Sequence, residues 1–88
     1  MRIKLTEHAR ERAKERGTTE EEIGLVLASD REIQLKKRRK SKESVFEYNK
    51  DWLGKHYLRK KVEVVYTEEN DEIVVITVKV FYVGGGKS

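Results

Sequence analysis

The spacing of apolar residues changes once along this 88-residue chain, and that change restricts the fold more than any other feature. Before Asp30 the pattern is helical; after it, apolar and polar residues alternate as on strands with two different faces. Arg2 to Leu5 reads as a short first strand with Ile3 and Leu5 inward. Thr6 then offers a hydroxyl N-cap, Glu7 puts an acid where the helix dipole favours one, and Gly17 supplies a left-handed stop. Thr19 opens a second helix with the capping box Thr19-x-x-Glu22 and an apolar face of Ile23, Val26 and Leu27. Gly24 weakens that helix and points to a close backbone approach.

Strand candidates fill the rest. Residues 32–37 carry Ile33 and Leu35 on one face, and residues 44–50 set Phe46 and Tyr48 opposite Val45 and Glu47. Asp51-Trp52-Leu53-Gly54-Lys55 looks like a hairpin connection into a long strand, residues 56–67, that groups Leu58, Val62, Val64 and Tyr66. After a turn at Asn70-Asp71, residues 72–83 place Val74, Ile76, Val78, Val80 and Tyr82 toward the core. Ile73, Val75, Thr77, Lys79 and Phe81 take the other, more open face, together with Glu47, Arg59, Lys61 and Glu63. Helices followed by a meander define an α+β fold of two layers, two N-terminal helices packed on an antiparallel sheet. Residues 1–83 are expected to form a single domain and residues 84–88 a flexible C-terminal tail. That Gly-Gly-Gly-Lys-Ser tail is not a phosphate loop, because Phe81 stands where the first glycine belongs and no helix follows.

A chain of this length buries one modest core. It has no apolar run long enough to cross a membrane and no cysteine for a disulfide or thiolate site, and its two histidines are far apart. A cytoplasmic protein without metal or cofactor is the expectation. Charged residues are 41% of the chain, against roughly 25% in ordinary soluble domains, and the Lys, Arg and Glu excess resembles hyperthermophile composition. The net charge is +4 and unevenly placed. Cations fill six of the seven positions 36–42, while acids gather at 20–22 and 68–72. Such polarity suits a polyanion or an acidic protein as partner; the competing reading is a solvated surface loop.

Three groups of residues could carry chemistry. At about 100° per residue, His8, Arg12 and Arg16 form one stripe of the first helix, beside a small face of Ala9 and Ala13. Those cations call for anionic partners, either carboxylates of the sheet or phosphates of a polynucleotide. The tract of Lys36, Lys37, Arg38, Arg39, Lys40 and Lys42 has the composition of a phosphate-contacting loop, and Trp52 and Phe81 could stack on unpaired bases. Metal-free RNA cleavage needs a base, an acid and cations around the phosphorane. His8, His56 and Glu47 could move protons, and Arg12, Arg16, Arg59 and Lys61 could hold charge. On the outer helix surface, Glu7 with Arg10 and Glu11 with Lys14 have the spacing of weak surface pairs.

Residues 5–17 (Leu-Thr-Glu-His-Ala-Arg-Glu-Arg-Ala-Lys-Glu-Arg-Gly), followed by Thr19-Glu20-Glu21-Glu22-Ile23, resemble the start of the proteins grouped as domain of unknown function 4258. Gly54-Lys55-His56-Tyr57-Leu58-Arg59 and Ile73-Val74-Val75-Ile76-Thr77-Val78 look like the rest of that pattern. The family is similar to BrnT-type toxins and, more distantly, to the RelE/ParE toxin superfamily. The resemblance implies helices on a curved antiparallel sheet, RNA cleavage, and an acidic antitoxin that covers the active surface. The spacing His-Ala-x-x-Arg-x-x-x-Arg-Gly carries over to His8, Arg12 and Arg16, while Thr18 stands where an apolar residue is usual. The leading expectation is a small basic RNA-binding protein acting as a metal-independent toxin endoribonuclease. In it His8 transfers protons, with Arg12 and Arg59 beside it, and Arg16, Lys61 and the 36–42 tract hold phosphates. Two alternatives stay open: a non-catalytic domain that binds an acidic protein or nucleic acid, and a structural thermophile domain with an unknown ligand.

Overall fold

Thr6 and Gly17 bracket the first helix as their chemistry requires. The Thr6 hydroxyl accepts the Ala9 N–H at 3.1 Å, and Gly17, at φ 86°, donates its own N–H to the Ala13 carbonyl. In the computed structural model, which describes residues 2–84, the elements run β1 (Arg2–Leu5), α1 (Glu7–Arg16), α2 (Glu20–Leu27), β2 (Glu32–Gln34), β3 (Lys40–Trp52), β4 (Lys55–Glu69) and β5 (Glu72–Val83). The Thr19 hydroxyl caps α2 by accepting from the Glu22 N–H at 3.1 Å. The fold is α+β, with two helices and one five-stranded sheet.

Three hairpins make most of the sheet, each closed by two consecutive residues at positive φ: Lys37-Arg38, Leu53-Gly54 and Asn70-Asp71. At Leu53-Gly54 and Asn70-Asp71 that pair is the whole loop, between Trp52 and Lys55 and between Glu69 and Glu72, and it matches the right-handed strand twist; Lys37-Arg38 sits inside a longer connection from Gln34 to Lys40. The order across the sheet is β1-β5-β4-β3-β2. β1 runs parallel to β5, with Arg2 opposite Glu72 and Leu5 opposite Val75, so the sheet is mixed and not wholly antiparallel as expected. Alternation tells which face a residue takes but not which neighbour its strand joins, and here β1 occupies part of the outer edge of the last strand.

The expected faces of β5 need a second correction. Tyr66 pairs with Val75 but Val65 with Thr77, leaving Ile76 as an extra residue in a bulge. The bulge reverses the alternation, so Ile73 and Val75, not Val74 and Ile76, join Val78 and Val80 on the core side. β2 is also shorter than expected, because the chain enters its turn at Lys36; Ile33 and Leu35 are exposed. Ile3 and Leu58 lie exposed as well, near the ends of the sheet. Gly24 meets no close backbone: a methyl built there has nothing within 4 Å. The flexible tail expected at 84–88 lies, from Gly85 onward, outside the described residues.

One buried cluster joins Ala9, Ala13, Ile23, Val26 and Leu27 of the helices to Val62, Val64, Tyr66, Val75 and Val78 of β4 and β5. At the far end of α1, the approach is closer still. A Cβ on Gly17 would lie 2.5 Å from Tyr82 Oη and 2.9 Å from the Trp52 ring.

The two helix-associated glycines should therefore respond oppositely to alanine. Gly17→Ala combines left-handed backbone with a collision and should destabilise by about 2–4 kcal/mol. Gly24→Ala should stabilise by about 0.5–1 kcal/mol, since an open helix position only loses glycine's entropy penalty. Urea denaturation midpoints of the two variants measure both effects.

Candidate functional site

The α1 stripe lies where the helix rotation puts it. With Ala9 and Ala13 buried, Arg10 and Arg12 fall on opposite flanks. Arg10 reaches Glu20 of α2 at 2.7 Å, so its expected pairing with Glu7 gives way to the carboxylate that α2 brings closer. Glu11 and Lys14 form no ion pair among the described residues. His8, Arg12 and Arg16 take the flank away from α2. His8 is exposed, without a hydrogen bond among the described residues. Arg12 pairs with Glu15 of its own helix at 2.6 Å, and Arg16 is exposed with no ion pair among the described residues. The stripe thus meets none of the sheet's carboxylates. Beside Arg10, Leu5, Arg10, Ala13, Lys14, Thr18, Thr19 and Glu20 line a groove of about 300 Å³.

The end of α1 is anchored by polar groups from the sheet. The Tyr82 hydroxyl donates to the Arg16 carbonyl at 2.6 Å, and the Lys60 ammonium donates to the Gly17 carbonyl at 2.9 Å. Lys60 is buried and reaches Glu22 Oε1 at 2.8 Å, where the Thr18 hydroxyl also donates at 2.8 Å. Thr18, the departure from the family pattern, is buried and uses its hydroxyl to hold that carboxylate. Burial pushes the Glu22 carboxyl up, but hydrogen bonds from Lys60 and Thr18 and the Lys60 charge together hold it below its ordinary 4.5. Burial, with Tyr48 and Glu22 nearby, pushes the Tyr82 phenol up to about 12, keeping it a donor. Trp52 stacks on Tyr82 with ring centres 5.0 Å apart, and Tyr48 and Tyr57 pack at 5.3 and 5.5 Å. Trp52, expected as a base-stacking surface, spends one face on this cluster.

The basic tract divides in two. Lys36, Lys37, Arg38 and Arg39 form the β2–β3 turn, closed by the Leu35 N–H to the Arg39 carbonyl at 2.7 Å. All four are exposed and have no ion pair among the described residues. Lys40 and Lys42 belong to β3 and turn to internal partners: Lys40 binds Glu68 at 2.7 Å and Glu32 at 3.6 Å, and Lys42 donates to the Leu27 carbonyl at 2.9 Å. The Glu68 hydrogen bond raises the Lys40 ammonium above its usual range, burial opposing it. Glu32 accepts from the Tyr66 hydroxyl at 2.6 Å; that bond, against some burial and with help from Lys40 and Lys42, lowers its carboxyl.

Arg59 and Lys61 sit on the opposite sheet face from the helices, because their neighbour Lys60 points to Gly17. Arg59 pairs with Glu47 at 3.5 Å; Lys61 lies 3.9 Å from Glu43 and 5.2 Å above the half-exposed Phe81 ring. The structure therefore does not bring Arg59 together with His8 and Arg12. His56 stands apart at the β3–β4 hairpin end, its Nδ1 3.0 Å from Asp51 and its Nε2 2.9 Å from Asn49. Among the described residues no group of His, Cys, Asp or Glu could hold a metal ion, and no helix is long and apolar enough to cross a membrane.

Lys60 is a site residue absent from the sequence-based expectations, although it occupies the same alternation as Val62, Val64 and Tyr66. A lysine in that row, with Glu22 at the start of the facing helix, is the signal that marks it. The family described as Domain of unknown function (DUF4258) matches residues 5–80. Neither a curated protein nor a solved structure matches the chain.

Replacing Glu22 tests the Lys60 junction. Glu22→Gln leaves a buried ammonium without its counter-charge and should destabilise by about 3 kcal/mol at neutral pH. Because the folded Glu22 pKa is depressed, its contribution is complete above 4.5 and fades as pH falls through the lower folded value. Unfolding curves of the two proteins should accordingly converge under acid, a comparison that urea titrations across pH provide.

Proposed function

This chain belongs to the family described as Domain of unknown function (DUF4258), and we propose that it is a small RNA-binding domain that holds phosphates on the turn of Lys36, Lys37, Arg38 and Arg39. The observation that carries this reading is the choice of residues at the turn's centre. Lys37 and Arg38 both adopt positive φ, at 60° and 63°. Two consecutive residues in that left-handed backbone favour Asn-Gly or Asp-Gly, and other residues raise its energy. Asn70-Asp71 and Leu53-Gly54 meet that demand in whole or in part, whereas Lys37-Arg38 meets it at neither position. Local strain kept alongside unpaired like charge fits a binding surface better than a connection chosen for stability. RNA as the polyanion draws on the resemblance to BrnT-type toxins.

The toxin endoribonuclease is the second reading, favoured by one observation: His8 is exposed, without a hydrogen bond among the described residues, on the same α1 flank as Arg12 and Arg16. In that reading His8 moves the proton and the two guanidiniums meet the phosphate, and Arg59, on the far face, takes no part. An acidic antitoxin would be the partner. Incubating the purified protein with RNA in chelator, beside His8→Ala and Arg12→Ala, should show cleavage by the parent alone; equal cleavage by all three removes the assignment.

For the binding reading, Lys37→Asn combined with Arg38→Gly separates stability from function. The variant should gain about 1 kcal/mol, from relief of turn strain. Its affinity for single-stranded RNA should nonetheless drop roughly tenfold, and the slope of log affinity against log salt should flatten by about 1.4, the counterion release of two phosphates. Affinity and slope unchanged from the parent would place the contact elsewhere.

A further inference from the structure

We infer that the outer edge of β5 beyond Val75 is a docking lane for an extended, acidic segment of a partner protein, which adds to the sheet as a strand. β1 pairs with β5 only from Glu72 to Val75. The chain then leaves the sheet plane at Thr6, whose N–H reaches the Val75 carbonyl at 3.1 Å and whose hydroxyl reaches the Ile76 carbonyl at 3.2 Å. From there to Val83, β5 pairs with β4 on one side and with no described strand on the other. Alternate backbone groups along this edge stand ready to bond an incoming strand.

What flanks the edge selects its occupant. α1 starts beside Ile76 and ends at Tyr82, which binds the Arg16 carbonyl, so the helix runs along the whole unpaired stretch. Arg10 faces α2, which lies over β4 and β3; the opposite flank, with His8, Arg12 and Arg16, borders the lane. Glu15, paired to Arg12, is the acid on that flank, and Arg16 has no such partner among the described residues. On the other sheet face the lane borders Lys79 and the exposed Phe81 and Val83. A strand laid here would turn alternate side chains toward the arginines and the intervening ones toward Phe81 and Val83. The matching segment alternates acidic and apolar residues.

A second copy of this chain fits less well. Pairing β5 with its own copy about a two-fold axis would bring both arginine flanks to one face, where like charges repel. An occupant of the lane would also lie against His8, so docking and any chemistry at His8 would exclude each other.

The probe is a peptide of about eight residues alternating Glu and Val, which spans the unpaired length of β5. Titrated into the isotope-labelled protein, it should slow amide exchange at alternate residues between 76 and 83. Arg12→Glu with Arg16→Glu, both surface changes, should weaken binding roughly tenfold. Two further peptides, N-methylated on one or the other alternate set of amides, should differ: one loses binding because its methyls face β5, and the other keeps it. Equal binding by both, no change in β5 exchange, β5 amides already protected in a dimer of the free protein, or protection by an RNA oligonucleotide in place of the peptide would each overturn the inference.

Discussion

The charged flank of the first helix and the open stretch of β5 beside it are both oriented by how α1 is held at its two ends. The helix buries little more than two alanine methyl groups, on the order of 1–2 kcal/mol of transfer free energy, too little to fix its position alone. Polar anchors do the rest. At its start, the capping threonine also reaches back to the Ile76 carbonyl. At its end, where a helix leaves carbonyls without partners, Tyr82 takes Arg16 and the Lys60 ammonium takes Gly17. A cation at a helix C-terminus also opposes the negative end of the dipole, and Glu22 keeps that cation tolerable in its buried position.

With α1 fixed, its charges are sorted by rotation alone. One flank goes to α2 through Arg10, the other is left bordering the open stretch of β5. The family motif divides in the same way: its alanine and its glycine are architecture, since Ala9 is fully buried in the core and a Cβ at Gly17 would collide with Tyr82 and Trp52. Its histidine and arginines are surface. A motif found whole in the sequence thus contains two kinds of constraint, and only the second bears on recognition.

Local signals were legible from the residues; long-range ones were not. Thr6, Thr19 and Gly17 announced the helix boundaries because a cap acts on its own neighbours. Asn70-Asp71 and Leu53-Gly54 announced their turns for the same reason; the 36–42 tract reads as a loop from its charge, but its left-handed pair Lys37-Arg38 does not, because neither residue favours that backbone. The Ile76 bulge was invisible because β5 is apolar at Val74, Val75 and Ile76 alike, so either parity gives a plausible core. The parallel placement of β1 and the meeting of Lys60 with Gly17 depend on contacts far apart in sequence. Separation of Arg59 from His8 was already implicit in strand alternation, which puts Arg59 on the face away from Val62, Val64 and Tyr66 and so away from the helices.

Ion pairing explains why the remaining positive charge is concentrated where it is. On the sheet, Arg59, Lys61 and Lys40 each have a carboxylate within 4 Å, and Lys60 has Glu22. Pairs of this kind on a surface add little stability, yet they cancel charge locally. What the sheet neutralises cannot contribute to the chain's excess of +4, so that excess is left to groups such as the β2–β3 turn and Arg16. These two sites lie at opposite ends of the sheet, since Lys40 pairs beside Tyr66 and Arg16 lies beside Tyr82. At physiological salt, where screening acts over about 8 Å, they cannot act as one continuous field. A single long polyanion could touch both, but each must be recognised on its own terms: the turn as a projecting cluster of point charges, the α1 flank as a charged border beside open backbone.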